Sequence, residues 1–84
     1  MIRILKRTGS FVDFNADKIT NAIIKAMKET KDGVDEDLAK EISLKIQKEI
    51  EPKNFPIPVE VVQDMVENEL MDSKRKDVAK RYIL

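Results

Sequence analysis

The residues able to do chemistry in this chain are cations near its start. Lys6 and Arg7 stand beside the turn-forming Thr8-Gly9-Ser10, and Lys18 opens the helical pattern that follows. Phe14 and Ile19 are apolar neighbours of this set. Arginine grips two phosphate oxygens in a planar fork and lysine supplies a mobile point charge, so the trio suits a phosphate-bearing ligand with an adenine-like base. Neither Gly-x-x-x-x-Gly-Lys-Ser/Thr nor Gly-x-Gly-x-x-Gly occurs, which excludes a backbone cradle and leaves the neutralising to side chains. On a regular strand consecutive residues point to opposite faces, so Lys6 and Arg7 converge only where the strand twists or the site wraps its edge. Solvated edge charges that discourage aggregation, with Lys18 as a surface helix residue, are the alternative reading.

Composition excludes most catalysis by this chain. At 84 residues it is read as one domain, 1–84, which buries only about 60% of the unfolded surface and leaves little room for an enclosed cleft. It has no Cys and no His, hence no thiolate nucleophile, no disulfide and no imidazole to carry protons or metal. Sixteen basic residues cancel sixteen acidic ones, so the strongly positive field of a dedicated DNA-binding domain is not expected. A second basic cluster, Lys74-Arg75-Lys76 with Lys80 and Arg81, is interrupted by Asp77 and reads as a solvated helix end before a nucleic-acid contact. Asp35-Glu36-Asp37 is what helix capping and the helix dipole predict, without a metal. No apolar stretch approaches a membrane span and no secretory core is visible, so the expectation is a cytoplasmic protein without membrane contact.

The elements that position these residues follow from periodicity. Residues 2–7 and 11–14 flank Gly9 as a hairpin, with glycine where positive φ is wanted. Asn15 caps a helix whose apolar positions are Ile19, Ala22, Ile23, Ala26 and Met27, ending near Thr30. Asp35 caps a second helix with Leu38, Ala39, Ile42, Ile46 and Ile50 on one face, stopping before Pro52. Phe55-Pro56-Ile57 is expected as a short edge strand beside the hairpin. A third helix starts near Pro58 or Val59; Val59, Val62, Val66 and Leu70 with Met65 are its buried stripe, and Glu60, Glu67 and Glu69 face water. Ser73 is the expected cap of a fourth helix carrying Val78, Ala79, Tyr82 and Ile83. The fold class is therefore α+β: a four-helix bundle covered by a small three-stranded sheet, the N-terminal hairpin plus a short edge strand.

Leu5-Lys6-Arg7-x-Gly9, then Phe14 and Asp17-Lys18-Ile19, then Val59-Glu60-x-Val62-Gln63-Asp64-x-Val66-Glu67, then Val78-Ala79-x-x-Tyr82-Ile83-Leu84, resemble the ATP-cone domain across nearly the whole chain. The resemblance implies an allosteric module that binds ATP or dATP, with Mg2+ accompanying the triphosphate, and performs no turnover. It places Lys6 and Arg7 on the family's basic pair, Gly9 on its turn, Phe14 near the base, and Lys18 with Ile19 on a Lys-Ile pair. Val59, Val62 and Gln63 fall on the helix that borders the nucleotide. Thr8 stands where the family usually has Asp, a mild change at an exposed turn. Within the family the likeness is to the domain leading anaerobic ribonucleoside-triphosphate reductases, or to the repressor of reductase genes. A reductase catalytic domain or self-association is the implied partner, with DNA only indirectly involved. A nucleic-acid-binding domain, and an oligomerisation module using Val and Met of the third helix, are the competing classes.

Overall fold

A computed structural model describes residues 2–83, with side chains through Tyr82. The order of elements is β1 (Arg3–Leu5), β2 (Phe11–Asp13), α1 (Ala16–Lys28), α2 (Glu36–Ile50), β3 (Ile57–Pro58), α3 (Val59–Asp72) and α4 (Lys76–Ile83). β1 lies in the middle of the sheet, antiparallel to β2 and parallel to β3. Alternation decides its faces: Ile4 pairs with Val12 and Ile57 toward the helices, whereas Arg3 lies over the Phe11 ring, 4.6 Å from its centroid, on the outside.

The first two helices start where their caps predict. The Asn15 side chain accepts the Asp17 N–H (2.9 Å), and the Asp35 carboxylate accepts that of Leu38 (3.1 Å), each satisfying a donor that the first helical turn leaves free. Ile19, Ile23, Ala26 and Met27 of α1 face Ala39, Ile42, Ile46 and Ile50 of α2, and Val62, Val66 and Leu70 of α3 with Val78 and Ala79 of α4 complete the core. Full burial of each larger apolar side chain contributes about 1.5–3 kcal/mol. One polar pair interrupts this interior, where the Thr20 and Ser43 hydroxyls bond across α1 and α2 at 2.6 Å and so avoid the cost of an unpaired buried hydroxyl.

Five expectations are corrected by packing. Ala22 is exposed, because the stripe that α1 buries is narrower than its run of apolar positions. The third strand is Ile57–Pro58, not Phe55-Pro56-Ile57; pairing with Ile4 buries Ile57 and leaves Phe55 outside, 62% exposed. Glu69 does not face water: Lys45 of α2 reaches it at 2.9 Å and only 19% of its side chain is exposed. Glu67 is likewise half-buried. Ser73 ends α3 instead of starting α4; its hydroxyl donates to the Leu70 carbonyl (2.6 Å) and accepts the Arg75 N–H (3.1 Å). The side chain of Ile83, together with Leu84, lies outside the described residues. Among the described residues no helix is long and apolar enough to cross a membrane.

Candidate functional site

The parallel pairing of β1 with β3 builds the site. Both strands run the same way and α3 follows β3 without a linker, so the end of β1 comes out beside the head of α3. β1 stops at Leu5, and the chain turns through Lys6 to Gly9, closed by the Gly9 N–H on the Lys6 carbonyl (2.9 Å) and the Lys6 N–H on the Ser10 carbonyl (2.8 Å). Gly9 has φ +90°, a conformation that costs any side-chain-bearing residue strain. Arg7 therefore belongs to the turn and escapes the strand alternation that would have set it opposite Lys6.

Its guanidinium lies on α3. Arg7 Nε donates to Glu60 Oε1 at 2.9 Å, and an η nitrogen donates to Gln63 Oε1 at 3.0 Å. Glu60 and Gln63 are three apart and so occupy one face of the helix. The carboxyl of Glu60 is held below the usual carboxylate range, first by the backbone N–H at the helix head and then by Arg7. Pro58 at the N-cap makes no side-chain cap bond, so the positive end of the α3 dipole points toward the turn without a capping oxygen from that residue.

The remaining residues singled out in the sequence take three kinds of place. Lys6 and Lys18 are exposed and form no ion pair among the described residues; Lys18 is on the first turn of α1, which leaves β2 at the end away from the hairpin turn. The structure thus joins Lys18 to neither Lys6 nor Arg7. Phe14 and Val59 are half-buried against the core. Ile19 and Val62 belong to the core itself, 8% and 6% exposed, so they underlie the surface instead of walling an open slot. Gln63 is half-buried and is joined to Arg7 directly. No group of three or more acidic side chains is gathered for a metal ion among the described residues.

Two side chains of consequence were missed in the sequence. Glu60 reads as a water-facing helix residue until the strand pairing sets it against Arg7; the available signal was an acid in the first turn of a helix that directly follows a strand. Arg75 reads as part of a solvated basic run, yet its side chain is only 14% exposed. It donates to both Asp77 carboxylate oxygens (3.2 Å each), to the Thr30 hydroxyl (2.9 Å) and to the Gly33 carbonyl (2.8 Å), tying the α1–α2 connection to α4. That corrects the solvated helix end at this position and removes one cation from the second basic cluster.

Comparison with known proteins agrees with the resemblance. The family described as the ATP cone domain matches residues 2–84. The vitamin B12-dependent ribonucleoside-diphosphate reductase of Thermoplasma acidophilum is 43% identical over 86 residues, covering 96% of this chain and 11% of that protein. The ribonucleoside-diphosphate reductase subunit alpha of Chlamydia pneumoniae is 36% identical, covering 96% of the chain and 9% of its own length, and that of Chlamydia muridarum is 34% identical, covering 99% and 9%. The chain thus spans about a tenth of the curated relatives it matches.

Proposed function

The chain belongs to the ATP-cone domain family, and on that premise we propose that residues 1–84 form one nucleotide-sensing domain, in which ATP or dATP bound at the hairpin turn regulates a ribonucleotide reductase without any turnover by the domain itself. The observation that carries this reading is the pair of hydrogen bonds from Arg7 to Glu60 and Gln63, which joins the basic turn to the head of α3. An anion drawn to that spot meets an arginine fork and the positive end of a helix together. Lys6 adds charge at the turn and Lys18 at the opposite end of β2, Gly9 shapes the turn, the half-buried Phe14, Val59 and Gln63 border the base, and Ile19 and Val62 support them from the core beneath. With no acidic cage among the described residues, Mg2+ would arrive on the triphosphate, which is how this ion is ordinarily held with nucleotides.

The named relatives are ribonucleoside-diphosphate reductases, which supports a catalytic partner of that substrate class over an anaerobic triphosphate reductase or a repressor. On this reading the domain would act in the cytoplasm. Self-association is a second reading favoured by Val61 and Met71, which leave α3 with 44% and 45% of their surfaces exposed. Concentration-dependent sedimentation indifferent to nucleotide would support it.

Titration calorimetry with ATP and with dATP tests the site. Replacing Lys6, Arg7 and Lys18 together by Ala is expected to abolish measurable binding while the fold persists, since all three side chains are exposed. Unchanged affinity would overturn the assignment.

A further inference from the structure

We propose that Glu60 is a built-in competitor for Arg7: its carboxylate occupies the place that phosphate oxygens would take, and nucleotide binding exchanges one for the other. The inference rests on the nucleotide-sensing reading above and adds to it the contact that binding must break. A guanidinium has five N–H donors in a fixed fork, and carboxylate and phosphate are the two groups whose paired oxygens match it. Here the Nε–H is committed to Glu60, and the same side chain sits at the head of α3, where backbone N–H groups and the dipole attract negative charge. One position thus already holds an anion that belongs to the protein.

The two partners of Arg7 divide the work. A guanidinium can only donate, so the Gln63 amide is turned with Oε1 toward Arg7 and its two NH2 donors away from it. Gln63 is neutral and does not oppose a phosphate, so it keeps the guanidinium at the helix when the carboxylate lets go. Glu60 carries a full charge, repels a polyphosphate, and is held by a pair whose side chains are 68% and 51% exposed. Exposed pairs of this kind are weak and screened, so a ligand with several charges displaces the carboxylate readily. The cost of that displacement sets a threshold: the site discriminates against singly charged anions, which gain too little to make the exchange.

Titration calorimetry with MgATP on this chain at fixed ionic strength, across wild type, Glu60→Gln, Arg7→Ala and the double variant, tests the idea, with thermal unfolding as a check that each variant folds. Glu60→Gln is expected to bind roughly 3- to 10-fold tighter, and the gain is expected to vanish when Arg7 is also replaced. A gain that persists without Arg7 would mean only a general reduction of negative field, and the competition would be overturned. Weaker binding by Glu60→Gln would make Glu60 an orienting partner of Arg7, also against the proposal. If wild type binds and Arg7→Ala does not, but Glu60→Gln is unchanged, the competition alone fails. If wild type binds neither ATP nor dATP, the sensing reading fails first and takes this one with it.

Discussion

Two arginines do related things at two places in the molecule, and their surroundings decide what each is for. Arg7 joins the hairpin turn to the head of α3 through one carboxylate oxygen and one amide oxygen, with 68% of its side chain in solvent. Arg75 joins the α1–α2 connection to α4 through both oxygens of Asp77, a hydroxyl and a backbone carbonyl, with 14% exposed. Each lies near a glycine at positive φ, Gly9 in the turn that carries Arg7 and Gly33 as an acceptor of Arg75. The same fork is enclosed and held by four hydrogen bonds in one case, and exposed and held by two in the other. An arginine enclosed among its partners serves the fold; one open to solvent can change partners, which is what a sensor requires.

The largest expected contrast lies in stability. Arg75→Ala leaves the Gly33 carbonyl without this donor and the Asp77 carboxylate without its cation, and is expected to cost about 2–3 kcal/mol in denaturant unfolding, whereas Arg7→Ala should stay within about 0.5 kcal/mol. Equal losses would erase the distinction between the two arginines. The two glycines sharpen it next. A Cβ at either position meets nothing within 4 Å, so the penalty for Gly9→Ala and Gly33→Ala is backbone strain alone, about 1 kcal/mol each. Only Gly9→Ala should also weaken ATP binding, because it alone reshapes the turn; calorimetry showing the reverse would place the site elsewhere.

Acid sensitivity is the smallest and most selective test. Asp77 is held below its ordinary value, first by the Arg75 hydrogen bond, and Glu60 below its own, first by a backbone N–H and only then by Arg7. In both cases the ionised form is favoured by folding, so the stabilisation is present above the unfolded-chain values near 3.8 and 4.5 and is lost as pH falls through the lower folded values. Melting temperature followed between about pH 2 and 6 should therefore drop more gently in Arg75→Ala, whose leading cause has gone, and keep most of its slope in Arg7→Ala. Identical acid limbs in the two variants would contradict the assigned causes.

Much of the scaffold was legible because it is local. Asn15 and Asp35 cap as their positions require, and the buried stripes of α2 and α3 recur at helical spacing. Where local rules failed, a distant residue intervened: Lys45 drew Glu69 out of solvent, and Ile4 selected Ile57 over Phe55 for the third strand. Ala22 shows the opposite case, an apolar helix position that found no partner to bury it. In the candidate site, Lys6, Arg7 and Gly9 could be picked out from residue type and turn chemistry, while Glu60 could not, since its importance comes from a residue 53 positions away.

What the amino-acid order determined unaided, then, was the helices, the caps at Asn15 and Asp35, most of the apolar faces, and the turn at Gly9 where positive φ is wanted. These depend on contacts within a few residues, where spacing alone dictates which side chains meet. Tertiary structure decided which arginine is enclosed and which remains open to exchange. That choice follows from the parallel register of β1 on β3 and from the packing of α4 beneath the α1–α2 connection, and identical side chains acquire different roles through the solvent and partners such long-range pairings leave them.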